Sequence, residues 1–86
     1  MSAELPIHVM VHEVWDEIPM AVTPATTVRE IKQRALAAAR VVEPAEAFLV
    51  KFRGAALADE SRTVAESGFP AGAPLIVLRR LRRPVH

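Results

Sequence analysis

Cysteine is absent from this 86-residue chain, so no disulfide framework holds it and no thiolate is available for catalysis. Tyrosine is absent as well, and the three glycines stand apart from one another, which leaves no Gly-rich loop to cradle a phosphate. No apolar run approaches the ~20 residues that a membrane span requires, so no membrane contact is expected. The opening Met1-Ser2-Ala3-Glu4 has no basic region followed by an apolar stretch, and the chain reads as cytoplasmic rather than secreted. A net charge of +1 sets up too weak a field to draw nucleic acid to the molecule. A chain of this size buries only about 60% of its unfolded surface, enough for one core and not for two. With no staple and no cofactor expected, packing alone must hold it.

What is present is a well-marked helix. Thr27 stands three residues before Glu30, and Val28, Ile31, Ala35, Ala38, Ala39 and Val42 follow at helical spacing. The Thr hydroxyl and the Glu carboxylate can each satisfy a backbone N–H that a first turn leaves unpaired. The pattern predicts a helix over 28–40 whose apolar residues span an arc of roughly 100 degrees, the width of a helix lying on a sheet. Its alanines imply a close approach to that sheet. Arg29, Glu30, Gln33, Arg34 and Arg40 fall on the solvent side.

The remaining segments supply the sheet. Ile7, Val9 and Val11 alternate with His8, Met10 and His12, the period of a half-buried strand over 5–13. Ile18, Met20 and Val22 alternate with Pro19 and Ala21 in a second strand, which Pro19 confines to an edge because it cannot donate to a ladder. Pro44 forbids continuation of the helix. Phe48, Val50 and Phe52 face one way and Leu49, Lys51 and Arg53 the other in a third strand, followed by a Gly54 turn and a stub at Ala56-Leu57. Thr63-Val64-Ala65-Glu66 before Gly68 predicts one capped helical turn closed by a left-handed glycine. Pro70–Pro74 reads as a turn and Leu75–Arg79 as the last strand. Right-handed crossovers close this order as one mixed sheet, last strand parallel to first, with the helix across one face. The expected core is Ile7, Val9, Val11, Ile18, Met20, Val22, Val28, Ile31, Ala35, Val50, Phe52, Leu57, Val64, Phe69, Leu75 and Val77.

Catalytic and metal chemistry find little support. His8 and His12 lie about 13 Å apart along a strand, against about 4 Å for two nitrogens on one zinc, so no metal site is expected. Asp16-Glu17 and Asp59-Glu60 are turn carboxylates without the sheltered pocket that general acid–base work needs. Ser67-Gly68 fits a helix cap better than a nucleophile elbow. Trp15, the sole tryptophan, sits at the tip of the first hairpin and is a candidate binding anchor. Arg79, Arg80, Arg82 and Arg83 concentrate charge near the C-terminus, but no aromatic platform accompanies them, so no nucleic-acid partner is expected.

In order and spacing, V-T-P-A-T-T-V-R-E-I-K (22 to 32), F-L-V-K-F-R-G-A-A-L (48 to 57), R-T-V-A-E-S-G-F (62 to 69) and A-P-L-I-V-L-R-R-L-R (73 to 82) resemble the ubiquitin-like β-grasp family across nearly the whole chain. The resemblance implies an α+β fold of ββαββ order, a mixed sheet of four to five strands with one helix packed across it, as a single domain over 1–83 with 84–86 as a tail. Conjugated members of the family end in two adjacent glycines, whereas the matching tail here is Leu81-Arg82-Arg83-Pro84-Val85-His86. The chain as written is therefore expected not to be conjugated.

The family binds partners through an exposed sheet face, whose counterpart is Leu49, Lys51, Arg53, Ile76, Leu78 and Arg80, with Trp15 at its margin. The implied function is non-enzymatic docking of a protein partner by a monomer or weak homo-oligomer. Alternatives are a modifier conjugated after tail processing, or a small accessory subunit of a multicomponent monooxygenase, to which R-T-V-A-E-S-G-F is similar, or of a type VII secretion system. The Ala, Arg, Val and Pro bias is that of a GC-rich coding sequence and points to a bacterial source.

Overall fold

A computed structural model describes residues 4–12 and 16–80. Trp15, Glu13 as the expected end of the first strand, and the tail Leu81–His86 lie outside the described residues. The chain opens with β1 (Leu5–Val11) and β2 (Asp16–Val22), paired antiparallel with Leu5 opposite Val22 and Val11 opposite Asp16. Helix α1 (Val28–Ala38) follows, then a single 3₁₀ turn (Ala45–Ala47) running into β3 (Phe48–Phe52). A two-residue β4 (Ala55–Ala56), a short α2 (Val64–Ser67) and β5 (Ala73–Arg79) complete the order. The five strands form one sheet in the order β2-β1-β5-β3-β4, with β5 parallel to β1 and antiparallel to β3. This is the expected mixed sheet, with β2 at its edge. Among the described residues, no helix is long and apolar enough to cross a membrane.

Alternation places Ile7, Val9 and Val11 of β1, Val50 of β3, and Leu75 and Val77 of β5 on one side of the sheet, all at most 1% exposed. Val28, Ile31, Ala35 and Leu36 of α1 cover them. Both helix starts follow the sequence signals. Thr27 accepts the Glu30 N–H at 3.2 Å. At α2 the box is complete, because Thr63 accepts from the Glu66 N–H while Glu66 accepts from the Thr63 N–H. Gly68 closes α2 at φ 71°, a left-handed angle that glycine adopts without a Cβ clash.

Several expectations need correction. The buried stripe of α1 is Val28, Ile31, Lys32, Ala35 and Leu36, whereas Ala38 is exposed, Ala39 half-buried and Val42 96% exposed. Only Ala35 of the three alanines is fully buried. The cause lies at the helix end, which comes at Ala38 rather than Arg40. The Arg40 N–H bonds to Ala37 O and the Val41 N–H to Leu36 O, with Arg40 left-handed at φ 59°. This is the Schellman pattern, which turns the chain out of the helical path before Val42.

Ala73 and Pro74, expected in a turn, belong to β5. Pro74 is tolerated there because pairing with β3 begins only at Leu75. The stub lies at Ala55–Ala56 rather than Ala56-Leu57, because Arg53 and Gly54, at φ 53° and 81°, form a two-residue hairpin loop. Of the expected core, Ile18, Met20, Phe52 and Leu57 pack at its margin, while Phe48, Leu36 and Ala73 are fully enclosed.

Lys32 is the unexpected buried residue, 2% exposed. It lies one turn after Val28 on the inner stripe, donates to Phe48 O at 3.0 Å and meets Glu60 Oε1 at 2.6 Å. Outside the core, Arg79 forms a forked ion pair with Glu43, one arm at 2.7 Å, and its guanidinium lies over the Phe48 ring.

Two predictions follow from these contacts. A left-handed arginine carries a Cβ penalty that glycine lacks, so Arg40→Gly is expected to raise unfolding stability by about 1 kcal/mol, read from the urea midpoint. The Arg79 hydrogen bond holds the Glu43 carboxyl below its ordinary 4.5, and the Ser61 hydroxyl and N–H hold Asp59 below 3.8. Carboxylates depressed in the folded state stabilise it fully above their ordinary values and lose that effect as acid protonates them. Thermal melts are therefore expected to fall as pH drops from about 5 to about 3, with a shallower slope in Glu43→Gln and in Asp59→Asn.

Candidate protein-docking surface

The side of the sheet away from α1 is built by the other half of each alternation. In β5 the outward residues are Pro74, Ile76 and Leu78, and in β3 they are Leu49 and Lys51. Register sets Ile76 directly beside Lys51, and Leu78 beside Leu49. On the opposite flank, parallel pairing sets Met10 of β1 beside Ile76 and His8 beside Pro74. Continuing outward, Glu17 of β2 lies opposite Met10 and Pro19 opposite His8. One row, Glu17–Met10–Ile76–Lys51–Ala56, thus crosses all five strands.

Ile76 is 41% exposed, a large β-branched side chain open to water, with Leu49, Leu78 and Met10 half-buried around it. The face is polarised at its ends. Glu17 marks the β2 side, where its Oε1 lies 3.5 Å from His8 Nδ1, and Lys51 lies across the apolar strip on β3. A half-exposed apolar centre with charged margins is the anatomy of a contact surface.

Of the residues expected in this surface, the fold brings together Leu49, Lys51, Ile76 and Leu78. Arg53 sits at the end of the sheet, its guanidinium carbon 5.0 Å from the ring centroid of Phe52, a residue of the helix-facing side. Arg80 is directed elsewhere, with Nε donating to Glu46 O at 3.0 Å and Nη2 3.7 Å from Glu60 Oε2. It lies just past β5, where strand alternation no longer sets its direction. Trp15 lies outside the described residues. Met10 and His8 were not among the expected residues. Their outward parity was readable, but their place beside Ile76 and Pro74 comes from the parallel pairing with β5.

No protein-family profile matches the chain, and no curated protein sequence does. Solved structures match it well. The ubiquitin of Caldiarchaeum subterraneum superposes with a TM-score of 0.79 at 17% identity, covering 95% of this chain and 100% of that one. The ubiquitin-like domain of an Arabidopsis thaliana protein, solved by NMR, gives a TM-score of 0.71 at 18% identity, covering 96% and 85% respectively. At such identities the likeness establishes the fold alone. The chain has a ubiquitin-like fold, an α+β domain with a mixed five-stranded sheet and one helix across it.

Because Ile76 points away from the core but packs beside Met10 and Lys51 on a strand with neighbours on both sides, Ile76→Glu is expected to lower folding stability by only about 1 kcal/mol. Equilibrium urea unfolding checks this, and the result decides whether the variant can serve as a folded, surface-altered probe.

Proposed function

We propose that the chain is a non-catalytic protein-interaction module that docks a partner through Met10, Leu49, Lys51, Ile76 and Leu78. The observation that carries this reading is the half-exposed Ile76 set among three further apolar side chains on the side of the sheet away from α1. The fold supports it, since the sheet needs only one face for its own core and leaves the other for recognition. The charges at the margins favour an amphipathic partner segment whose acidic end lies over Lys51.

Photo-crosslinking in the source cells tests this, with a benzophenone side chain placed at Leu78, at Met10, or at exposed Gln33 on α1. A discrete adduct of the same mass from positions 78 and 10, abolished by Ile76→Glu and absent from position 33, is the expected result. An adduct from position 33 alone would remove the sheet face from consideration.

A second reading, a conjugated modifier, draws on the similarity to the ubiquitin of Caldiarchaeum subterraneum. An epitope-tagged chain that shifts cellular proteins by a constant mass on denaturing gels would favour it.

A further inference from the structure

An ionic cluster on the helix side of the sheet takes no part in the docking surface. Its base is the Lys32–Glu60 pair, with side chains only 3% and 10% exposed. Lys32 Nζ engages Glu60 Oε1 at 2.6 Å and donates to Phe48 O at 3.0 Å, joining α1, the start of β3 and the loop before α2. The second carboxylate oxygen, Glu60 Oε2, is buried without a hydrogen-bond partner. An oxygen in that position has given up its hydration with no hydrogen bond in return, an arrangement that calls for a donor.

A donor stands nearby. Arg80 follows β5 directly, its N–H bonded to Ala47 O at 2.8 Å and its Nε to Glu46 O at 3.0 Å. Its Nη2 lies 3.7 Å from Glu60 Oε2, inside ion-pair range and short of a hydrogen bond. Both groups line an open cleft of about 430 Å³, shared with Arg29, Gln33 and Glu46, so the guanidinium has room to turn. Its planar fork can hold the Glu46 carbonyl with one nitrogen and a carboxylate with another.

We infer that Arg80 and Glu60 form a latch: closing Nη2 onto Oε2 fastens the end of the last strand to the buried Lys32 pair, and opening releases it. Closed, the latch ties the C-terminal end of β5 through Glu60 and Lys32 to the middle of α1. A partner presenting carboxylates to Arg80 competes with Glu60 for the same guanidinium, so engagement of the chain's end is felt at the buried pair. The inference is independent of which face docks a partner.

NMR of the full chain tests it through the Glu60 side-chain carboxyl ¹³C shift and the amide exchange rate at position 80. Arg80→Gln keeps the Lys32–Glu60 pair and is expected to move the Glu60 signal and speed exchange at position 80 on the order of tenfold. Glu60→Gln is expected to speed that exchange similarly. Both variants remove the Arg80–Glu60 contact, although Arg80→Gln also loses the Nε bond to Glu46 O and Glu60→Gln also weakens the Lys32 pair, so the effect of the double variant should fall short of the product of the two single effects. If Glu60→Gln fails to fold, the carboxyl shift in Arg80→Gln decides alone. An unmoved Glu60 signal in Arg80→Gln, multiplicative exchange effects in the double variant, or a Glu60 signal that responds to Arg29→Gln instead would overturn the latch.

Discussion

β1 and β5 lie side by side and parallel, and most of the molecule follows from that pairing. Parallel strands cannot be joined by a tight turn, so the chain between them has to cross one face of the sheet, and α1 is that crossing. The register from Ile7 opposite Ala73 to Val11 opposite Val77 aligns the inward residues of both strands into a continuous apolar floor. The same register aligns their outward residues, so Met10 and Ile76 become neighbours on the free side. Core and candidate surface are the two faces of one ladder. A slip of a single residue would exchange them.

The helix is held by polar contacts as well as by packing. Its start is stitched to the start of α2: the Val28 N–H bonds to Arg62 O, the Val64 N–H to Thr26 O, and Thr27 bridges Thr63. Two capped helix ends thereby satisfy each other's neighbours. Farther along, Lys32 reaches through the core edge to Phe48 O and Glu60. A buried pair of this kind adds little net stability against an apolar substitute. It does constrain rotation of α1, because turning the helix would strand a desolvated ammonium. Arg79 and Arg80 then grip the segment 43–47, one through Glu43 and the other through the Glu46 and Ala47 carbonyls.

What could be read from the sequence was local. Two-residue alternation marked β1, β2 and β3, Thr27 and Thr63 marked both helix starts, and Gly68 marked the end of α2. The burial of Lys32 is not legible in this way, because it depends on Glu60, a distant partner that spacing along the helix does not reveal. The end of α1 carries no such mark, because its left-handed residue is Arg40, where glycine would be a visible stop. Val42 continued the apolar series on paper, but the turn at Arg40 carries it out into solvent. On the outer face, parity identifies Leu49, Lys51, Ile76 and Leu78, but it does not reach Arg80, which lies beyond the end of β5.

Pro19 and the shortness of β4 bear on how this protein behaves among copies of itself. An open sheet offers two free rims, each able in principle to template another chain and begin fibrillar stacking. At one rim the proline withholds a backbone donor midway along β2. The other rim is a strand of two residues, too brief to seed an intermolecular ladder. Both rims of the sheet are thus guarded against sideways growth, and what the sheet leaves open to other molecules is side chain rather than backbone.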